Sequence, residues 1–551
     1  MNRSVADVTL IGQFLQLLPP DHVAGLLSLW EQGKTDPASL QPALMAALNA
    51  VDWSENSEQV GRLINQLLPL ETLVPEMYAE WRPVVRDAVA FAGSHLSPAR
   101  LVPKLVDQLL LPPDTPLEKR VSAMIARVPS LQKVGQIVAR TPKLDPAFRA
   151  ELIKLENAIQ DIAPAAVQAS IIENLGPRLA RYRVKVAAEI LAEASVSAVV
   201  RFSWLNPANG QRELGVFKVL KPYIPDFFDE DLAILQGLAE YFDLHRARYQ
   251  LPEIDLSQTF AEIRTLLARE VQLHQEQANL RRAQQQYASL PGVRVPRPIT
   301  VLCTPTMTAM SDEGGTKITA AFAKGRTQRQ HAAENLVKAL IAHPLFLPDE
   351  SVLMHADPHA GNLFVDEETG DVLLFDWALA QSVTRSERRA MVRLLFGVIL
   401  RDADLIVAAV VDLAVRDGAC SQDTQDEEIV RAHVDGLLAQ LAPWRVAGLV
   451  EMTRLITELM ASGFRFPPFL LIFRKMLFTL EGVLEDTSAN VRVDAVVAGY
   501  VRRHLMAQLW AGSPEESATF ALPLQESDWE EIGARAWTFL PRLWDQVSAG
   551  R

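Results

Sequence analysis

The chain has 551 residues, 49% of them hydrophobic, which is enough to bury more than one core, so two to four structural units are expected. A formal net charge of -13 with no offsetting basic stripe argues against nucleic acid as a partner. The two cysteines, Cys303 and Cys420, lie far apart in the sequence, which argues against a disulfide framework or a structural zinc site and suits a reducing compartment.

The opening MNRSVADVTLIGQFLQLL lacks a long apolar core with a small-residue cleavage site, so no signal peptide is expected. The longest apolar runs, Leu394 to Leu400 and Leu405 to Val411, fall short of the roughly 20 residues that a membrane-spanning helix needs. The expected location is the cytoplasm, with peripheral contact at the inner face of a membrane left open.

Residues 1–115 repeat helical spacings, such as Val60, Leu63, Ile64, Leu67, between Pro-rich turns, and read as a helical accessory region, with a protein partner on the helical extensions left open. Three more helices are expected between Leu117 and Pro164. The second carries Lys133 and Gln136, which share a face at i, i+3 and on their own would be a surface pair. Val196 to Trp204 and Leu214 to Leu220 read as two strands joined through an Asn209-Gly210 turn, with Lys218 inside the second strand. A strand lysine is either an edge residue facing solvent or the partner of an anion.

One long helix is expected over 256–288, placing Glu270 and Glu276 on different faces. Short strands are expected at Val293 to Pro298, Thr300 to Cys303 and Thr306 to Met310, then a Gly-rich hinge at Ser311 to Gly315 and helix over 316–349. From Ser386 onward the chain reads as helix. Its tail aromatics Trp529, Trp537, Phe539 and Trp544 are either core residues or a membrane-interface face.

Between these helices lies MHADPHAGNLFVDEETGDVLLFDWAL, Met354 to Leu379. Asp357, then Asn362 five residues later, then a hairpin through Gly370 and an apolar strand delivering Asp376 form the spacing of a kinase-type phosphoryl-transfer site. In such chemistry Asn362 and Asp376 hold Mg2+ through oxygen, Asp357 faces the attacking hydroxyl or water, and Lys218, steadied by a glutamate, neutralises nucleotide phosphate. His355, His359 and Asp357 also allow a zinc reading, against which stand Lys218 and Asp376, left without a role.

Over roughly residues 115 to 415 the chain resembles the UbiB/ADCK (AarF-type) atypical kinases. The carriers are Lys133-Val134-Gly135-Gln136, similar to that family's K-x-G-Q signature, and His355 to Asn362, a full match to its H-x-D-P-H-x-G-N form. Leu191 to Ser195 looks like its alanine-rich phosphate loop, putting Ala194 and Ser195 at the nucleotide, and Glu276-Gln277-Ala278-Asn279 matches its E-A-x-N. The resemblance implies an α+β, protein-kinase-like bilobal fold with helical extensions. Its parts would be an accessory region (1–115), an added helical segment with the signature (116–181), an N-lobe (182–315), a C-lobe with the catalytic loop (316–430) and a C-terminal helical extension (431–551). It pairs Glu276 with Lys218 and Glu270 with Lys133, and makes the Lys133 segment a lid against protein substrates.

The implied ligands are ATP or ADP with Mg2+, and the implied substrate is a small or isoprenoid-lipid-like molecule, in many members linked to ubiquinone. Three positions depart from the family pattern. Gln272 replaces a carboxylate, Glu193 brings a negative charge to the phosphate loop, and Ala378 stands where the family's Gly reaches positive φ. These departures motivate an ATP-binding pseudokinase scaffold as the alternative, with an antibiotic-type phosphotransferase as a third reading.

Overall fold

A computed structural model describes residues 15–549 except 35, 54–56, 75, 113, 140–160, 250–254, 322–324, 417–423, 443–446, 488–490 and 511–521. The chain divides into two compact units, Met1–Gln272 with Leu302–Ala309, and Leu273–Val301 with Met310–Arg551.

The first unit begins with amphipathic helices, among them Ser57–Leu67, Arg82–Ser94 and Pro98–Leu110. Pro98–Leu110 buries Arg100, Lys104 and Gln108 as well as Leu101, Val102, Leu105 and Val106. Buried cations need partners. Arg100 pairs with Asp231 at 3.0 Å and Glu230 at 3.3 Å, while Ser130 Oγ donates to Asp231 at 2.5 Å. The last of the three helices expected between Leu117 and Pro164 falls outside the described residues, while Leu117–Ile125 and Pro129–Ala139 form as expected.

The unit's sheet runs β1 (Lys185–Glu193), β2 (Ser197–Leu205), β3 (Arg212–Leu220) and then Met307–Ser311, each paired to the next. β2 and β3 are antiparallel in full register from Ser197↔Leu220 to Leu205↔Arg212, closed by a turn in which Gly210 takes φ +68°. β1 was not expected from the pattern of the sequence. Two register shifts, between Val186 and Ile190 and between Ile190 and Ala192, break its alternation, so its residues never show the period of two. β3 is an inner strand, which removes the edge-lysine reading of Lys218.

The expected single helix over 256–288 is two. Leu256–Glu270, capped by Asp255 accepting from Gln258 N–H, ends at Val271, and a second helix runs Leu273–Tyr287 in the other unit. No Pro or Gly marks the break in the sequence. The face calculation for Glu270 and Glu276, which assumed one straight axis, does not apply.

The second unit holds a sheet ordered Val293–Arg294, Val372–Leu374, Leu363–Val365, Thr316–Lys317. Its central pair is the hairpin expected around Gly370, which has φ +78°. Thr300–Leu302 forms a 3-10 turn rather than a strand, because its neighbours Pro298 and Thr304 make only isolated bridges to Met310 and Met307. Thr316–Lys317 pairs with Phe364 and Val365, so the stretch expected as helix starts with a short strand before Arg326–Val337.

The two apolar runs near 400 are core helices, Arg385–Leu400 and Ala403–Leu413. The first opens on a Thr384/Glu387 capping box and ends on Arg401 at φ +51°, and Asp402 caps the second. At their crossing a Cβ on Gly397 would lie 2.9 Å from Ile406 Cγ1, so only glycine allows the approach. Among the described residues no helix is long and apolar enough to cross a membrane. Of the tail aromatics, Trp529 packs edge-on to Phe396 and Trp537 is 82% exposed, while the side chains of Phe539 and Trp544 lie outside the described residues.

Candidate active site

In the first unit the signature helix Pro129–Ala139 carries a buried Lys133, which forms an ion pair with Glu270, the pairing implied by the resemblance. The second oxygen of Glu270 accepts from Ser195 Oγ at 3.2 Å. Lys133 is thereby joined through Glu270 to the turn between β1 and β2, where Ser195 is buried and Ala194 exposed. The side chain of Gln136 lies outside the described residues.

A second cluster reaches the same turn. Lys221, fully buried just after β3, pairs with Asp161 at 2.7 Å and Glu193 at 3.3 Å. The Asp161 carboxylate also accepts from Arg127 N–H (2.8 Å), Gln132 Nε2 (3.0 Å) and Tyr223 OH (3.2 Å). Burial by itself would raise the Asp161 pKa, but Lys221 and these donors outweigh it and hold the carboxyl below its ordinary 3.8. Burial and the same carboxylate push the Tyr223 phenol well above its usual range.

Glu193 therefore has a cationic partner. Its carboxylate meets Lys221 and accepts from the Asp161 backbone N–H at 3.2 Å, so its charge is shared with Asp161 over one lysine. Sequence reasoning missed this cluster, although a lysine directly after an inner strand, Lys221, was the signal that could have found it. Lys218 sits half-buried on β3, opposite Val199. Glu276, its implied partner, belongs to the other unit, where it is buried on Leu273–Tyr287.

In the second unit the loop after strand Ser351–Met354 is built by its own side chains. His355 Nδ1 accepts from Asp357 N–H at 3.4 Å, so its protonated Nε2 donates to Phe375 C=O at 2.8 Å, and its ring meets Trp377 edge-on. His359 Nδ1 accepts from Gly361 N–H at 3.0 Å and turns Nε2 toward Asp357 Oδ2 at 3.6 Å. A Cβ on Gly361 would lie 2.7 Å from His359 Cε1, which explains the glycine. Both histidines spend a ring nitrogen on bracing backbone, contrary to the zinc reading.

Asn362 Nδ2 donates to Asp357 C=O at 3.1 Å, and its own backbone C=O accepts from Phe375 N–H at 3.0 Å. Loop and hairpin are thus tied directly. Its carboxamide oxygen is the atom left to meet a cation.

Asp376 is exposed at φ +56°, and its Oδ1 accepts from Ala378 N–H at 3.2 Å. A non-glycine residue at such a φ is held there by its surroundings. Here Trp377 is fully buried, and its backbone C=O accepts from Asn279 Nδ2 at 3.0 Å. The positive φ that the sequence assigned to position 378 is therefore found at 376, and Ala378 carries no such strain. Asn279, quoted only as part of a motif, anchors the residue that follows the metal-binding candidate.

Asn362 and Asp376 offer hard oxygen donors, which fits Mg2+ chemistry. An inner-strand lysine, an Asp-x-x-x-x-Asn loop and a hairpin-borne aspartate define a protein-kinase-like domain.

Residues 154–410 match the model of the ABC1 atypical kinase-like domain. Similar proteins include the uncharacterized protein sll1770 of Synechocystis (27% identical, 64% of this chain and 59% of that one) and protein ACTIVITY OF BC1 COMPLEX KINASE 8, chloroplastic, of Arabidopsis thaliana (26%, 52% and 37%). The probable protein kinase UbiB of Cellvibrio japonicus is 25% identical over 68% of this chain and 67% of its own length. The solved structure of Rv3197 with erythromycin from Mycobacterium tuberculosis has a TM-score of 0.43 at 17% identity, covering 72% of this chain and 96% of that one. Residues 154–410 are thus similar to the ABC1 atypical kinase-like domain, and the relatives include proteins named UbiB and ACTIVITY OF BC1 COMPLEX KINASE. It spans between 37% and 59% of the length of the first three curated relatives it matches.

Proposed function

We propose that the chain is an ATP-dependent, Mg2+-requiring phosphotransferase or ATPase of the UbiB type, acting on a small or isoprenoid-lipid-like molecule rather than on proteins. The observation that carries the reading is the His355–Asn362 loop. Asp357 is presented on a turn held by two histidines, and Asn362 is fastened to that turn and to the strand leading to Asp376. Asn362 and Asp376 would hold Mg2+, which would supply charge neutralisation at the phosphates. Lys218 contributes charge to the phosphates, and Asp357 orients the attacking hydroxyl or water and accepts its proton. The γ-phosphorus bond to the bridging oxygen breaks, and its electron pair leaves on ADP.

The Lys133–Glu270 pair supports a lid that disfavours protein substrates. Two of the three departures that favour a pseudokinase lose their force, since Glu193 is partnered and Ala378 unstrained. The test is Mg2+-dependent ATP hydrolysis by the purified chain, with and without isoprenoid lipid or detergent, against Asp376→Asn. Turnover that requires Asp376 supports the proposal. Equal background in both proteins under every condition refutes it and leaves the pseudokinase reading.

A further inference from the structure

One cation beside the catalytic loop comes from outside the matched domain. Lys475 lies on Pro468–Asp486, beyond residue 410, where the kinase-like match ends. Its Nζ stands 4.0 Å from Asp357 Oδ1, while the other oxygen of Asp357 faces His359. The helix is fixed by burial of Phe473, Met476 and Leu477 around it, so the Lys475 backbone is set although its side chain is 56% exposed. The adjacent Arg474 is turned elsewhere, to Thr457 Oγ1 at 3.0 Å.

With Lys475 more than half exposed and 4.0 Å away, the pair does little to hold the fold. A cation that stayed on Asp357 would also compete with an attacking hydroxyl for that carboxylate. A flexible four-carbon stem lets the ammonium move to a stronger anion when one arrives.

We infer that Lys475 is a further phosphate-contacting residue of this site, passing from Asp357 to the terminal phosphoryl oxygens of a nucleoside triphosphate and freeing Asp357 for the attacking oxygen. This rests on the nucleotide-dependent reading of Asp357 given above. It makes the C-terminal helical region part of the catalytic apparatus. It also predicts discrimination between triphosphate and diphosphate by a residue that the domain match does not include.

The test is calorimetric titration of the full chain with Mg2+ and either ADP or the non-hydrolysable analogue AMPPNP, for wild type, Lys475→Met and Lys475→Arg. The expected result is that Lys475→Met weakens AMPPNP about tenfold, leaves ADP within about twofold, and is largely rescued by arginine. Equal affinities for AMPPNP in wild type and Lys475→Met overturn the inference while leaving the nucleotide reading intact. A wild-type chain that binds neither nucleotide overturns both. Equal weakening of ADP and AMPPNP assigns Lys475 to general nucleotide affinity and overturns the γ-phosphoryl contact.

Discussion

The charged groups of the two units are held in opposite ways. Around the β1–β2 turn of the first unit they are sequestered: Lys133 against Glu270, and Lys221 against Asp161 and Glu193, all with little or no solvent exposure. Around the catalytic loop of the second unit they are presented. Asp376 is exposed and Lys475 more than half exposed, with Asp357 at 16% exposure, while the backbone is tied down by His355, His359, Asn362 and Asn279. The same residue types therefore serve two ends. Buried ion pairs fix a loop in the first unit, and braced backbone fixes the positions of Asp357 and Asp376 in the second.

The contrast breaks most sharply at Asp357. Asp357→Asn is expected to cut Mg2+-dependent turnover about a thousandfold, measured by phosphate release, while leaving the melting temperature within a degree or so. Lys221→Met is the converse. It strands two carboxylates in a buried cluster and should cost about 3–5 kcal/mol in denaturant unfolding.

Acid sharpens the comparison. The Asp161 carboxyl is depressed in the folded chain, so its contribution to stability is present above about pH 3.8 and is lost as pH falls below that value. In Lys221→Met burial dominates and raises the folded carboxyl above its ordinary value, so the sign reverses: stability should rise as pH falls, a reversal visible in melting temperature against pH. The smallest effect is expected for Asn279→Ala, about 1 kcal/mol from the lost hydrogen bond to Trp377 C=O, with weaker Mg2+ dependence of turnover. Global unfolding and hydrolysis titrated with Mg2+ measure the two parts.

The catalytic loop was legible in the sequence because its chemistry is local: His355, Asp357, His359 and Asn362 lie within eight residues and brace one another. Lys218 and its strand were legible because β2 and β3 pair without irregularity through a short turn. The β1 strand was hidden by its bulges, and the break after Glu270 has no Gly or Pro to announce it. The Lys221 cluster and Lys475 depend on partners in other elements, Glu193, Asp161 and Asp357, for which periodicity offers no signal. Position 378 was misjudged because positive φ was inferred from a motif alignment, whereas the buried Trp377 and its carbonyl bond place the strain one residue before the tryptophan.

The most direct test is the melting temperature of wild type, Lys218→Ala and Asp357→Ala with and without saturating Mg2+ and AMPPNP. Wild type and Asp357→Ala should both be stabilised by the nucleotide, and Lys218→Ala should not, because Lys218 acts in binding and Asp357 in turnover. Stabilisation that survives in Lys218→Ala, or is lost in Asp357→Ala, would contradict that division of labour.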